Sequence, residues 1–269
     1  MIERRAITSL PKKRGGRRVV ILGAAVSVLA LGWIAVPRLR LLINKGFEFE
    51  PIDSPAGFRR ISAGEVSRGV DPFLGLRPAE EGTSDSEIDS LRSNLCQHLF
   101  GPDEIPDGVV PIASFSDYRC PYCRVLAPML AEIETESAGN VRITWHEWPL
   151  LGDISEIAAR AALAAKRQGA YVAFSTRLMK TAFIPTAGYL EDLSVRLGID
   201  SAQLTADMEG ADVDRELAIS RGLAGLFGFP GTPSLVIGRT VVVGAVSEEE
   251  LLLLIDQERA DGPPAVCAR

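Results

Sequence analysis

Cys120-Pro121-Tyr122-Cys123 places two nucleophilic sulfurs three residues apart, the only such spacing in this chain. Two chemistries use that pattern. A dithiol can cycle between thiol and disulfide, because a thiolate attacks a disulfide sulfur through a mixed-disulfide intermediate. The same pair can also supply half of a tetrahedral metal site. A structural zinc site needs four sulfur or nitrogen ligands, and no second C-x-x-C exists; the two histidines, His98 and His146, stand apart from each other. The redox dithiol is therefore the preferred reading, with zinc or copper binding as the alternative. A purely structural bridge across so few residues would gain little, since the entropic benefit grows with loop length.

The flanking sequence positions the sulfurs. Val109–Phe115 is an apolar run that reads as a strand, and Val125, Leu126, Met129, Leu130 and Ile133 recur at helical spacing to about Ser137. Cys120 then lies where a strand passes into a helix. Pro121 suits the first helical turn, where its missing N–H has no partner to lose. The free N–H groups and positive dipole end of that turn favour a thiolate. Asp117 reads as the cap of the helix start. Arg119 and Arg124 flank the pair, either adding to thiolate stabilisation or standing as solvated charges. His98 and His146 read as packing or surface residues. Trp145 and Trp148 sit on the strand Val141–Trp148, where tryptophan is usually core.

The remaining elements follow from periodicity. Residues 37–83 read as a linker or extended lead, punctuated by proline and glycine from Pro51 to Gly82. A capping box, Ser84 with Glu87, opens a helix carrying Ile88, Leu91, Leu95 and Leu99. After Val141–Trp148, residues 153–227 are helical and alanine-rich, broken at Gly169, Pro185 and Gly198-Ile199. Two short strands, Ser234–Ile237 and Thr240–Val243, meet at Gly238-Arg239. A last helix opens with the capping box Ser247 and Glu250 and runs to near Glu258, leaving 261–269 as a tail. No internal repeat is present.

Of the 269 residues 46% are apolar and 24% charged, which excludes a disordered chain, a disulfide miniprotein and a collagen-like repeat. Charge is segregated. Residues 1–45 hold 10 Lys/Arg and one acid, whereas the rest holds 19 basic and 34 acidic side chains. So acidic a body is a poor partner for nucleic acid. The basic residues 1–18 precede Val19–Val36, which are 18 residues without a charge. A bilayer-spanning helix takes about 20 apolar residues, against about 7–15 in a signal peptide. The expectation is a single-pass anchor in the inner or cell membrane over 19–36, with residues 1–18 cytoplasmic and the remainder in the periplasm or outside the cell. A cleaved signal is the alternative, and it puts residues 46–269 in the same compartment. In such a compartment an even cysteine count favours pairing. Cys96 and Cys267 are then candidates for a structural disulfide joining both ends of the fold; a free thiol at Cys96 or an intermolecular bridge through the tail are the other readings.

Several of these features occur together, in this order, in one family. Phe115-Ser116-Asp117-Tyr118-Arg119-Cys120-Pro121-Tyr122-Cys123, Pro128, the Pro149-Leu150-Leu151-Gly152 segment with Ser155 and Ala158–Ala165, and Gly231-Thr232-Pro233-Ser234 resemble the DsbA-like thioredoxin-fold thiol–disulfide oxidoreductases over about residues 84–260. The resemblance implies an α/β thioredoxin fold with an inserted all-helical domain (about 153–227), here preceded by a single N-terminal transmembrane helix. It implies that Cys120 is the exposed, low-pKa sulfur and Cys123 its more buried resolving partner. It further implies a cis bond before Pro233, backbone groups of Thr232 that pair with an extended substrate, and Tyr122 at the substrate face. No cofactor is implied and no metal. The partners implied are exported proteins bearing thiols or disulfides, and a membrane redox partner that resets the pair. Two departures matter: Tyr122 stands where the best-known oxidases carry histidine, and Ser114 stands where many thioredoxin-like proteins bury an acid. The expected activity is oxidation of substrate dithiols. A reductase or isomerase with the same cysteines, and a metal- or peptide-binding module on this scaffold, are the alternatives.

Overall fold

Strand β3 (Val110–Ser116) is buried along its entire length, which requires neighbours on both edges and cover on both faces. A computed structural model describes residues 47–69, 85–180, 185–264 and 266–267. In it β3 pairs in parallel with β4 (Val141–Glu147) and antiparallel with β5 (Ser234–Ile237), which pairs antiparallel with β6 (Thr240–Val243). Two strands lie in the lead: β1 (Glu50–Pro51) and β2 (Arg59–Ser62), with β2 parallel to β6. The sheet order is β1-β2-β6-β5-β3-β4.

Here the reading of residues 37–83 as a linker or lead needs correction, because part of it is sheet. Arg59-Arg60-Ile61-Ser62 has too little apolar alternation to announce a strand. Its pairing comes from the open edge of β6 and from a buried carboxylate. Glu258 Oε1 accepts from Arg59 Nη2 at 2.6 Å and from Thr240 Oγ1 at 2.6 Å, while Glu258 Oε2 accepts from the Arg239 N–H at 2.7 Å. One acid thereby ties β2, the β5–β6 turn and the last helix together.

The helices follow the apolar periodicity. After α1 (Asp85–Ser93) and α2 (Leu95–Phe100) come α3 (Pro121–Glu136), then α4 (Asp153–Arg167), α5 (Tyr171–Lys180), α6 (Ala187–Leu197), α7 (Ser201–Met208) and α8 (Ala211–Leu226), and finally α9 (Glu248–Asp261). The Ser247–Glu250 capping box is formed at the start of α9. The alanine-rich face of α4, Ala158 to Ala165 with Leu163, lets neighbouring helices approach closely and joins Tyr118, Cys120, Cys123 and Ala127 in one apolar cluster. A second cluster uses Phe115, Phe227 and Phe229 with Leu91, Leu95 and Leu99.

The anchor at 19–36 and the basic tail 1–18 lie outside the described residues, as does the Ser84–Glu87 capping box. Among the described residues no helix is long and apolar enough to cross a membrane. Cys96 and Cys267 are joined by a disulfide with Cα atoms 5.5 Å apart, fastening α2 to the C-terminal segment.

Candidate active site

The strand-to-helix handover puts Cys120 at the N-cap of α3, in extended backbone with Pro121 as the first helical residue. Its sulfur takes the place of a capping oxygen. The Cys123 N–H donates to Cys120 Sγ at 3.3 Å, meeting one of the unpaired donors that every helix start leaves. The Thr232 carbonyl lies 3.3 Å from the same sulfur and accepts from it when Cys120 is protonated. The Thr232–Pro233 peptide bond is cis, and residues 112 positions apart in sequence meet at one sulfur.

The two thiols have opposite character. Hydrogen bonding from the Cys123 thiol, then the Ser67 hydroxyl and the Cys123 N–H, outweighs burial and lowers the Cys120 pKa to about 6. Burial and the negative neighbour raise Cys123 well above the ordinary thiol range. At neutral pH Cys120 carries the charge and Cys123 holds the proton. The Thr232 hydroxyl lies beside both sulfurs. It has no other hydrogen-bond partner of good geometry among the described residues, so it can donate to whichever sulfur is charged.

Several expected roles change. Asp117 is not the helix cap. Its carboxylate accepts from the N–H groups of Arg119 (2.7 Å), Leu150 (2.6 Å) and Leu151 (3.0 Å) and from the Ser155 hydroxyl (2.7 Å). It therefore clamps the active-site loop to the entrance of the helical insertion. Arg119 Nη1 donates to the Leu151 carbonyl and Arg124 Nε to the Tyr118 carbonyl. Tyr122 is half-buried against the helical insertion. Cys120 is not exposed: it is 0% accessible and Cys123 is 1%. Ser67, whose hydroxyl reaches the Cys120 sulfur, comes from the lead and was invisible in the sequence pattern.

A further polar group sits behind the loop. Glu147 is buried, and its Oε1 accepts from Tyr118 Oη at 2.7 Å and Tyr171 Oη at 2.6 Å. Burial raises its pKa to about 7. His146 is a packing residue. It stacks on Phe115 with ring centroids 4.5 Å apart, and its Nε2–H donates to the Leu99 carbonyl at 3.0 Å. Burial lowers its pKa to about 4, which keeps it neutral. Trp145 packs on the cysteine side of the sheet and Trp148 against the phenylalanine cluster. Among the described residues no group of three or more His, Cys, Asp or Glu is placed to hold a metal ion.

The model of the DSBA-like thioredoxin domain matches residues 111–256. The fold is similar to that of a thioredoxin-like oxidoreductase from Silicibacter pomeroyi DSS-3, with 38% identity, a TM-score of 0.55, and coverage of 61% of this chain and 97% of that one. It is also similar to a periplasmic thioredoxin-like protein from Salmonella enterica serovar Typhimurium, with 26% identity, a TM-score of 0.54, and coverage of 62% and 97%. Among curated proteins, the Na(+)/H(+) antiporter NhaA 1 of Salinispora arenicola is 37% identical over 76 residues, which are 28% of this chain and only 11% of the antiporter.

Proposed function

The chain belongs to the DSBA-like thioredoxin domain family, and from that premise we propose that it oxidises dithiols of exported proteins through Cys120 and Cys123. The observation that carries this reading is the Cys120 sulfur itself, capping α3 beside Cys123 and the Thr232 carbonyl.

The chemistry runs in two exchanges. In the oxidised enzyme a substrate thiolate attacks Cys120 Sγ; the Cys120–Cys123 bond breaks and Cys123 leaves, taking up a proton in its buried site. A second substrate thiolate then attacks the substrate sulfur of the mixed disulfide. Cys120 departs as a thiolate, held by the Cys123 N–H. Two electrons pass from substrate to enzyme, and one disulfide is made as another is lost. A low leaving-group pKa speeds that last step and stabilises the reduced enzyme, which favours oxidation of substrate over its reduction. A membrane-borne disulfide donor would return the pair to its oxidised state.

The uncharged apolar run Val19–Val36 and the Cys96–Cys267 disulfide support placing the catalytic domain on the outer face of the membrane. So does the periplasmic relative from Salmonella. Alkaline-carbonate extraction checks the anchor: the full chain should stay with the membrane pellet.

Activity is tested by incubating the oxidised full-length protein with reduced, unfolded ribonuclease. Disulfides should form in the substrate at the expense of the enzyme pair, and Cys120→Ser should abolish this. A pair potential above about −200 mV fits an oxidase, whereas one near the −270 mV of thioredoxin would assign the same cysteines to reduction.

A further inference from the structure

A sulfur that must meet other proteins is fully covered, and the cover comes from the same chain. From the end of β2 the backbone runs on along the sheet edge: the Ala63 N–H donates to the Val243 carbonyl at 3.1 Å, and the Ala245 N–H to the Glu65 carbonyl at 3.1 Å. Ser67 and Thr232 then form an antiparallel bridge. The Ser67 N–H donates to the Thr232 carbonyl at 2.7 Å, and the Thr232 N–H to the Ser67 carbonyl at 2.9 Å. Both backbone groups of the residue before the cis proline are thus used. The Ser67 hydroxyl reaches the Cys120 sulfur.

The seat is shaped for a backbone. A Cβ at Gly231 would overlap the Ser67 carbonyl oxygen, and one at Gly69 would stand 2.7 Å from the Leu150 carbonyl oxygen. Only glycine at these two places lets the chains approach so closely. Yet the segment is lightly held. Ser62–Glu65, Arg68 and Gly69 are exposed, and only Val66 and Ser67 are half-buried. A stretch with little apolar burial and a few exposed hydrogen bonds opens at low cost.

We propose that residues 63–69 form a strap occupying the peptide-docking edge at Thr232, with Ser67 standing where a substrate cysteine must approach Cys120. This rests on the oxidoreductase reading above. Strap and substrate are mutually exclusive, because a bound extended peptide needs the same Thr232 N–H and carbonyl. The strap lowers apparent reactivity by the fraction of time it is closed. Two backbone hydrogen bonds correspond to roughly a ten- to hundredfold effect.

The test uses the reduced full chain and iodoacetamide at pH 8.5, where Cys120 is ionised with or without the strap, reading Cys120 modification by peptide mass. Ser67→Pro removes the N–H that binds Thr232, and Gly69→Val collides with the Leu150 carbonyl. Both should accelerate Cys120 alkylation ten- to a hundredfold, with oxidation of a cysteine-containing peptide rising in parallel. Arg68→Ala, at an exposed side chain, keeps the backbone bridge and should change the alkylation rate less than threefold. As a check that needs no variant, the Thr232 amide in the unaltered protein should exchange with solvent deuterium as a slowed site, and saturating peptide substrate should not leave Ser67 protected. Alkylation of the unaltered protein as fast as of both variants, together with unprotected Thr232, overturns the strap. Faster alkylation without any oxidation of peptide in any form would keep the strap and refute the oxidoreductase reading instead.

Discussion

The pH dependence of the Cys120–Cys123 potential follows from the contrast between the two sulfurs. Cys120 has its pKa lowered to about 6 in the folded reduced protein, against about 8.5 for a free thiol. Its ionisation therefore stabilises the reduced fold in full above pH 8.5, and this contribution is lost as pH falls through 6. At pH 7 about ten-elevenths of Cys120 is thiolate, worth roughly 1.4 kcal/mol to the reduced state relative to an unperturbed thiol, or about 30 mV for a two-electron couple. Because Cys123 stays protonated throughout this range, reduction takes up two protons below pH 6 and one above it. The potential should fall by about 59 mV per pH unit below pH 6 and about 30 mV per unit above. Equilibration against glutathione buffers from pH 4.5 to 8.5, with the thiols trapped and counted, gives the slopes directly. Ser67→Ala should move the break upward, since that hydroxyl is one of the donors to the thiolate. A single slope of 59 mV up to pH 8 would refute the assignment of a thiolate to Cys120.

Three further outcomes are expected. Glu258→Leu leaves Arg59 without its buried partner and should cost about 3 kcal/mol of unfolding free energy in urea titration, loosening β2 with it. Cys96→Ser should lower stability by up to about 5 kcal/mol in the chain-entropy picture, given a closed loop of 171 residues; it should leave the Cys120–Cys123 potential unchanged. Glu147→Gln should stabilise the protein progressively as pH rises from 4.5 through 7, by about 3 kcal/mol at pH 8, because it removes an acid that the unfolded chain ionises readily but the folded state, with its pKa at about 7, does not. At pH 4.5 the two proteins should unfold alike, and the opposing acid sensitivity of His146, whose pKa is about 4, cancels between them.

Elements whose signals are local were legible from the residues. The α9 capping box, the strands Ser234–Ile237 and Thr240–Val243, and the breaks at Gly169 and Gly198 all rest on contacts within a few positions, so residue types report them. The site was legible as far as its sulfurs and the proline loop. What sequence left hidden depends on distant backbone. β2 is recruited by the edge of β6 and by Glu258, 199 residues from Arg59. Ser67 is brought to Cys120 by main-chain pairing with Thr232, which any residue but proline could make. Asp117 suits a helix cap by type, yet its partners Leu150, Leu151 and Ser155 come from a loop and the first turn of α4, more than 30 positions away. The nearer oxygen-like acceptor, the Cys120 sulfur, takes the cap instead.

The most direct measurement uses Cys123→Ser, which removes the resolving thiol and leaves Cys120 to be attacked or to attack alone. Challenged with a peptide disulfide at pH 7, this variant should accumulate a stable mixed disulfide, with the peptide mapped by mass to Cys120; Cys120→Ser should accumulate none at Cys123. Trapping at Cys123 in place of Cys120, or equal trapping at both, would contradict the assignment of Cys120 as the exchanging sulfur.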